Sequence, residues 1–216
     1  MSEQQNELFN NMMNMFYSLS FYAPLIICMS VLVFSMFTST LEKAFVFGVW
    51  IFIITFIRIL FFKGLKPELM PNIPQICNTG VSQMFIKQDV SYSIYILSFA
   101  MMYFILPMIM VSKQNKVNVM NYGILGFFVA YIALDIFIKK SLLCVPSFLS
   151  TVVIGNVFSG LFLGGAIGIL MYGTTLKTYL YINEINSNKE VCSMPSKQQF
   201  RCRVFKDGAL IGSSIN

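Results

Sequence analysis

Histidine is missing from all 216 residues. Without an imidazole the chain has no Ser-His-Asp or Cys-His nucleophile pair, no HExxH zinc site and no histidine-ligated haem. Histidine-dependent membrane phosphatases are excluded with them. Charge is scarce as well. Asp, Glu, Lys and Arg make up 11% of the chain, against about 25% in an average soluble domain. The sequence holds no P-loop, no GxGxxG and no N-glycosylation sequon, and Gly80-Val81-Ser82 lacks the rest of a hydrolase elbow. Carboxylates are not clustered. These absences predict a protein that is not an enzyme and has no catalytic, cofactor-binding or metal-binding residues.

What remains is apolar: 56% of the residues are hydrophobic. Such a chain has too little polar surface to cover a water-facing globule. The apolar residues also come in blocks with charges between them, the pattern of a membrane protein. Five blocks stand out: Phe21–Phe37, Ala44–Phe62, Ile94–Val111, Tyr122–Ile138 and Val152–Tyr172. With their flanks, all reach the roughly 17–25 residues that a spanning helix needs. Lipid offers the backbone no water, so each block must close its own hydrogen bonds as a helix. Pro24 lies in the first turn of its block, where a missing N–H costs little. Pro107 lies inside the third block and should kink it.

The expected fold is therefore an all-α integral membrane protein, a bundle of about five transmembrane helices with a small C-terminal β-hairpin tail. Residues 1–20 form a polar or interfacial segment. They hold Glu3 and Glu7, and no Lys or Arg precedes Asn11, so no cleaved signal is expected. Leu8, Phe9, Met12, Met13, Met15 and Phe16 belong either to a short helix lying in the interface or to a frayed start of the first span. Residues 21–172 are the membrane domain. Residues 173–216 are soluble in character. There Phe200, Cys202 and Val204 alternate with Arg201 and Arg203, and Lys206-Asp207-Gly208 follows, a hairpin signal. Between blocks, 38–43 is a tight turn that should make an antiparallel helix pair. The longest loop, 63–93, holds Pro67, Pro71 and Pro74. No internal repeat supports an inverted-repeat transporter.

Five spans put the N-terminus, the 63–93 loop and the 139–151 loop on one side, with Lys63, Lys66, Lys87, Lys139 and Lys140. The other side carries Lys43, Lys113, Lys116, Lys177, Lys189, Lys197, Arg201, Arg203 and Lys206. That excess predicts a cytoplasmic C-terminus. The net charge of +6 is spread between blocks and along the tail rather than gathered in a stripe, so no nucleic-acid partner is expected. Cys77 and Cys144 share the less basic side, where a disulfide would persist. Cys192 and Cys202 share the tail and would bridge the base of the hairpin only in an oxidising environment. Four cysteines split between two sides make a zinc site unexpected. Cys28 reads as a small buried hydrophobe.

Three groupings call for a role. Gly160, Gly164 and Gly168 form two overlapping GxxxG units, broadened by Gly155 and Gly165. Such a face admits another helix closely, either from the same chain or from a second copy in a homo-oligomer. Arg58 and Asp135 lie within spans at similar depth from the same end. They make either an intramembrane ion pair with each other, or Asp135 pairs with Lys139 one turn on while Arg58 snorkels to the head groups. Asn156 adds a polar group able to bond between helices. In the tail, Lys197, Arg201, Arg203 and Lys206 face either solvent or acidic lipid or an acidic partner surface.

From Ser187 the chain reads Ser-Asn-Lys-Glu-Val-Cys-Ser-Met-Pro-Ser-Lys-Gln-Gln-Phe-Arg-Cys-Arg-Val-Phe-Lys-Asp-Gly. With the glycine-rich last block and Met171-Tyr172-Gly173, this segment resembles a family of small multi-span membrane proteins of nucleocytoplasmic large DNA viruses. The resemblance covers roughly the last third of the chain. It implies residence in a virion internal membrane beneath a capsid, or in a host membrane before assembly. It also implies a structural task with the bilayer and with other membrane or capsid proteins as partners, and carries no catalytic motif. Two other classes stay open: an accessory subunit of a large membrane complex such as a respiratory assembly, and a small channel or transporter.

Overall fold

The computed structural model describes residues 14–60, 74, 77, 89–114, 120–145 and 150–182 in full, and the backbone alone of 61–65, 115, 201–206 and 209–215. Six α-helices lie among the described residues: α1 (Asn14–Phe21), α2 (Ala23–Phe37), α3 (Leu41–Leu65), α4 (Tyr92–Asn115), α5 (Tyr122–Ser141) and α6 (Thr151–Tyr172). A 3₁₀ turn, Thr175–Tyr179, follows. Four of these helices, α3 to α6, are each long and apolar enough to cross a bilayer. The chain is a multi-pass membrane protein.

The first expected span is bent, and α1 and α2 pass as a fifth span only when taken together. α2 has 15 residues, or about 22 Å at 1.5 Å per residue, short of a hydrocarbon core of about 30 Å. α1 meets it at a 78° bend rather than extending it. Pro24 explains the break. It sits in the first turn of α2. Had α1 continued, its missing N–H and bulky ring would have met the carbonyl of Ser20. The proline starts one helix by ending another.

Local signals set the remaining boundaries. Asn121 caps α5, its Oδ1 accepting from the N–H of Gly123 at 3.0 Å and of Ile124 at 3.2 Å. Ser150 caps α6 by accepting from Val153 N–H at 3.3 Å. α2 and α5 both end in a Schellman motif. The N–H of Thr40 reaches Ser35 O at 2.9 Å and that of Cys144 reaches Lys139 O at 2.8 Å. Ser39 (φ 54°) and Leu143 (φ 57°) supply the left-handed residues.

α4 is the hub. Two thirds (67%) of its most apolar window is buried, against 28% for α3, α5 and α6, and every residue from Ser91 to Ala100 is inside. It packs most extensively on α6, through the glycine face. A Cβ at Gly160 would press into Tyr95 O and Ser98 Cβ, and one at Gly164 into Phe99 O, while one at Gly168 would lie 3.6 Å from the Pro107 ring. The backbones touch because nothing stands between them. Gly160, Gly164 and Gly168 are therefore consumed within the chain, and the homo-oligomer reading loses this face. Gly165 meets Leu106 and Met102, whereas Gly155 has nothing within 4 Å and is no part of the contact.

The bundle has two ends. The loop end gathers α1, the end of α3, the start of α4, the end of α5 and the start of α6. The tail end gathers the α2–α3 turn, the end of α4, the start of α5 and residues 173–182. At the tail end Leu180, Tyr181 and Ile182 return to the core and are buried. Tyr181 packs on Phe34 and Phe104, with centroids 6.1 and 5.5 Å away, and its hydroxyl shares a hydrogen bond with Ser35. Lys43 donates to Leu180 O at 2.9 Å. Phe47, Tyr103, Phe104 and Phe128 continue this ring cluster into the middle of the bundle.

Candidate functional site

The polar groups of the membrane domain concentrate at the loop end, in two buried clusters that share the start of α4. Arg58, near the end of α3, is only 7% exposed. Its guanidinium forks onto Asp89, Nε to Oδ2 at 2.6 Å and Nη2 to Oδ1 at 2.8 Å. Nη1 donates to Asn156 Oδ1 of α6 at 2.6 Å, and the group lies 4.5 Å from the Tyr95 ring centroid. Asp89 is fixed in turn by the Ser91 N–H at 3.2 Å. One arginine thus joins α3, the entry to α4, and α6.

The second cluster centres on Asp135 of α5, which is fully buried. Its Oδ2 accepts from Lys139 Nζ at 3.0 Å and from Ser93 Oγ at 2.6 Å. Its Oδ1 accepts from Ser20 Oγ of α1, and Lys139 also donates to Ser93. Tyr131 adds a bond to Leu19 O at 2.8 Å. α1, α4 and α5 meet at this carboxylate. Beside it Cys77 and Cys144 form a disulfide, packed with Phe21 of α1. The Schellman turn described above presents Cys144 to it.

The predicted Arg58–Asp135 pair does not form. Equal depth places two groups at one level of the bilayer but does not fix the rotation of their helices. Arg58 faces α6 and the approach to α4, and Asp135 faces α1 and α4. The Asp135–Lys139 alternative is what the structure holds, while Arg58 does not snorkel. Asp89 was missed because it lay in what read as a loop. Its position a few residues before an apolar run, on the same side as Arg58, was the available signal. Cys192 lies outside the described residues. So do the side chains of Cys202, Arg201, Arg203 and Lys206.

Electrostatically the two clusters are closed. Two cations face two carboxylates, serine hydroxyls and the Ser91 N–H occupy further carboxylate lone pairs, and Asn156 Oδ1 accepts from the Arg58 guanidinium. A buried charge is tolerable only when paired in this way. Such an arrangement ties helices together. Both carboxylates are engaged by these donors, Asp135 by Ser20, Ser93 and Lys139 and Asp89 by Arg58 and the Ser91 N–H. No family model, no curated protein and no solved structure matches the chain.

Proposed function

We propose that this chain is a structural integral membrane protein of a virion internal membrane, where it helps to link the membrane to the capsid. The observation that carries this reading is that the intramembrane charges are paired as struts between helices rather than strung along a path. A rigid, self-contained membrane domain suits an anchor. The resemblance of the 187–208 segment and the glycine-rich α6 to viral membrane proteins supports the setting.

In this reading the tail makes the contact. The Asp207-Gly208 turn is expected to fold the tail into a hairpin. Arg201, Arg203 and Lys206 offer it positive charge for an acidic partner surface. The disulfide favours placing the loop end in an oxidising compartment and the tail in the cytoplasm, the orientation that the basic residues also favour.

Deleting 191–216 is expected to abolish association with the assembled particle while membrane insertion persists. Unchanged association of the truncated protein would overturn the role of the tail. Mass spectrometry of neighbours in the native particle checks the setting: capsid protein should dominate, and redox subunits in its place would point to an accessory subunit of a respiratory-type complex.

A further inference from the structure

α1 sits on the loop end by its last turn. Leu19 O accepts from Tyr131, and Ser20 Oγ donates to Asp135. Phe21 is buried against the bonded pair Cys77 and Cys144, with Tyr17 packed beside them. The two cysteines are 1% and 2% exposed, and Phe21 and Tyr17 form part of their cover. They are anchored unequally. The Schellman turn holds Cys144 to the end of α5 whether or not its sulfur is bonded. The Cys77 N–H bonds three residues back, to Pro74 O at 2.9 Å, and its covalent tie to the bundle is the sulfur.

Opening that bond unties one side of the surface on which Phe21 rests. A helix as short as α1 has too few internal bonds to persist undocked. The 78° bend that separates it from α2 lets it leave while α2 stays. The coupling is reciprocal. Seated, α1 shields the sulfurs; bonded, the sulfurs seat α1. We propose that the Cys77–Cys144 disulfide is a redox latch on α1, which lifts from the bundle when the bond is reduced and uncovers the Asp135–Lys139 pair. The reductant is a dithiol. One of its thiolates attacks a cysteine sulfur and expels the other cysteine as a thiolate, and its second thiol then displaces the mixed disulfide. Two electrons and two protons pass to the cysteines, and the dithiol leaves as a disulfide. The latch rests on the contacts of α1 and not on the viral assignment.

In nanodiscs, the full-length protein can be followed by hydrogen exchange and mass spectrometry before and after reduction by dithiothreitol, with alkylation counting the free thiols. Exchange at residues 18–22 is expected to rise by at least about tenfold on reduction, while 96–108 of α4 stay protected over the same interval. Cys77→Ser with Cys144→Ser should exchange fast at 18–22 without reductant and show no response to it. Phe21→Ala and Ser20→Ala weaken the seat of α1 in different ways, and each should speed reduction of the bond about tenfold. Phe52→Ala, on the exposed surface of α3, should leave that rate unchanged. Protection of 18–22 that survives full reduction would overturn the latch. So would loss of protection in α4 in step with α1, because the bond would then hold the bundle as a whole. A reduction rate indifferent to both α1 variants, or raised as much by Phe52→Ala, would overturn it too. A melting scan identifies an α1 variant that is misfolded, in which case the other decides.

Discussion

At the loop end, four charged side chains, their serine and asparagine partners and a disulfide hold α1, α3, α4, α5 and α6 to one another. At the tail end the same task falls to aromatic rings around Tyr181, one lysine and one shared hydroxyl bond. The difference lies in what a single loss leaves behind. Removing a ring or a hydroxyl leaves a neutral gap that neighbours partly fill. Removing one member of a buried ion pair strands its partner's charge in a medium that cannot solvate it. The loop end is therefore the brittle end and the tail end the forgiving one.

The largest effect is expected from Asp89→Asn, which leaves Arg58 buried beside a neutral group. It should lower stability by about 3–5 kcal/mol, read from denaturant titration in detergent micelles. Pairing it with Arg58→Met should recover part of that loss. Next comes the disulfide, which joins residues 67 apart in sequence. Cys77→Ser with Cys144→Ser should remove about 2–4 kcal/mol. Reductant should lower the melting temperature of the parent protein and leave that of the double variant alone. Third is Gly164→Ala, which forces a methyl group into the Phe99 carbonyl and should cost about 1–3 kcal/mol. Gly126→Ala, with open space around it, should change stability by less than about 0.5 kcal/mol. Among the variants that remove a contact, the mildest is at the tail end: Tyr181→Phe removes the bond to Ser35 for about 1 kcal/mol. A Tyr181→Phe loss equal to that of Asp89→Asn in the same titration would erase the contrast between the ends.

The spans were legible because lipid leaves the backbone a single economical conformation, so an apolar run of sufficient length is a helix before any packing is known. The start of α5 at Tyr122 and the end of α6 at Tyr172 coincide with the apolar blocks, and Asn121 and Ser150 are cap residues visible in the sequence. The bend after Phe21 had its signal in Pro24, which reads equally well as the first turn of a span. Only the presence of helix on its N-terminal side turns it into a corner. Partner choice was less legible. Depth along a helix follows from counting residues, but the direction a side chain faces depends on how neighbouring helices are rotated. Arg58 and Asp135 shared a level and faced different neighbours. The glycine repeat announced a close contact without naming the helix that fills it, because smoothness is a property of one surface and choice of partner belongs to two.

Gly160 and Gly164 belong to the last helix described, whereas the backbone they receive belongs to α4, and Asn156, which completes the Arg58 cluster, sits beside them on α6. A ribosome delivers these parts in the opposite order to their need. During synthesis α4 must wait, with its inner surface unoccupied, while α5 and the whole of α6 emerge. The bundle is sealed by its final segment, and a nascent chain halted before Asn156 would offer the cell's quality-control machinery an open seam.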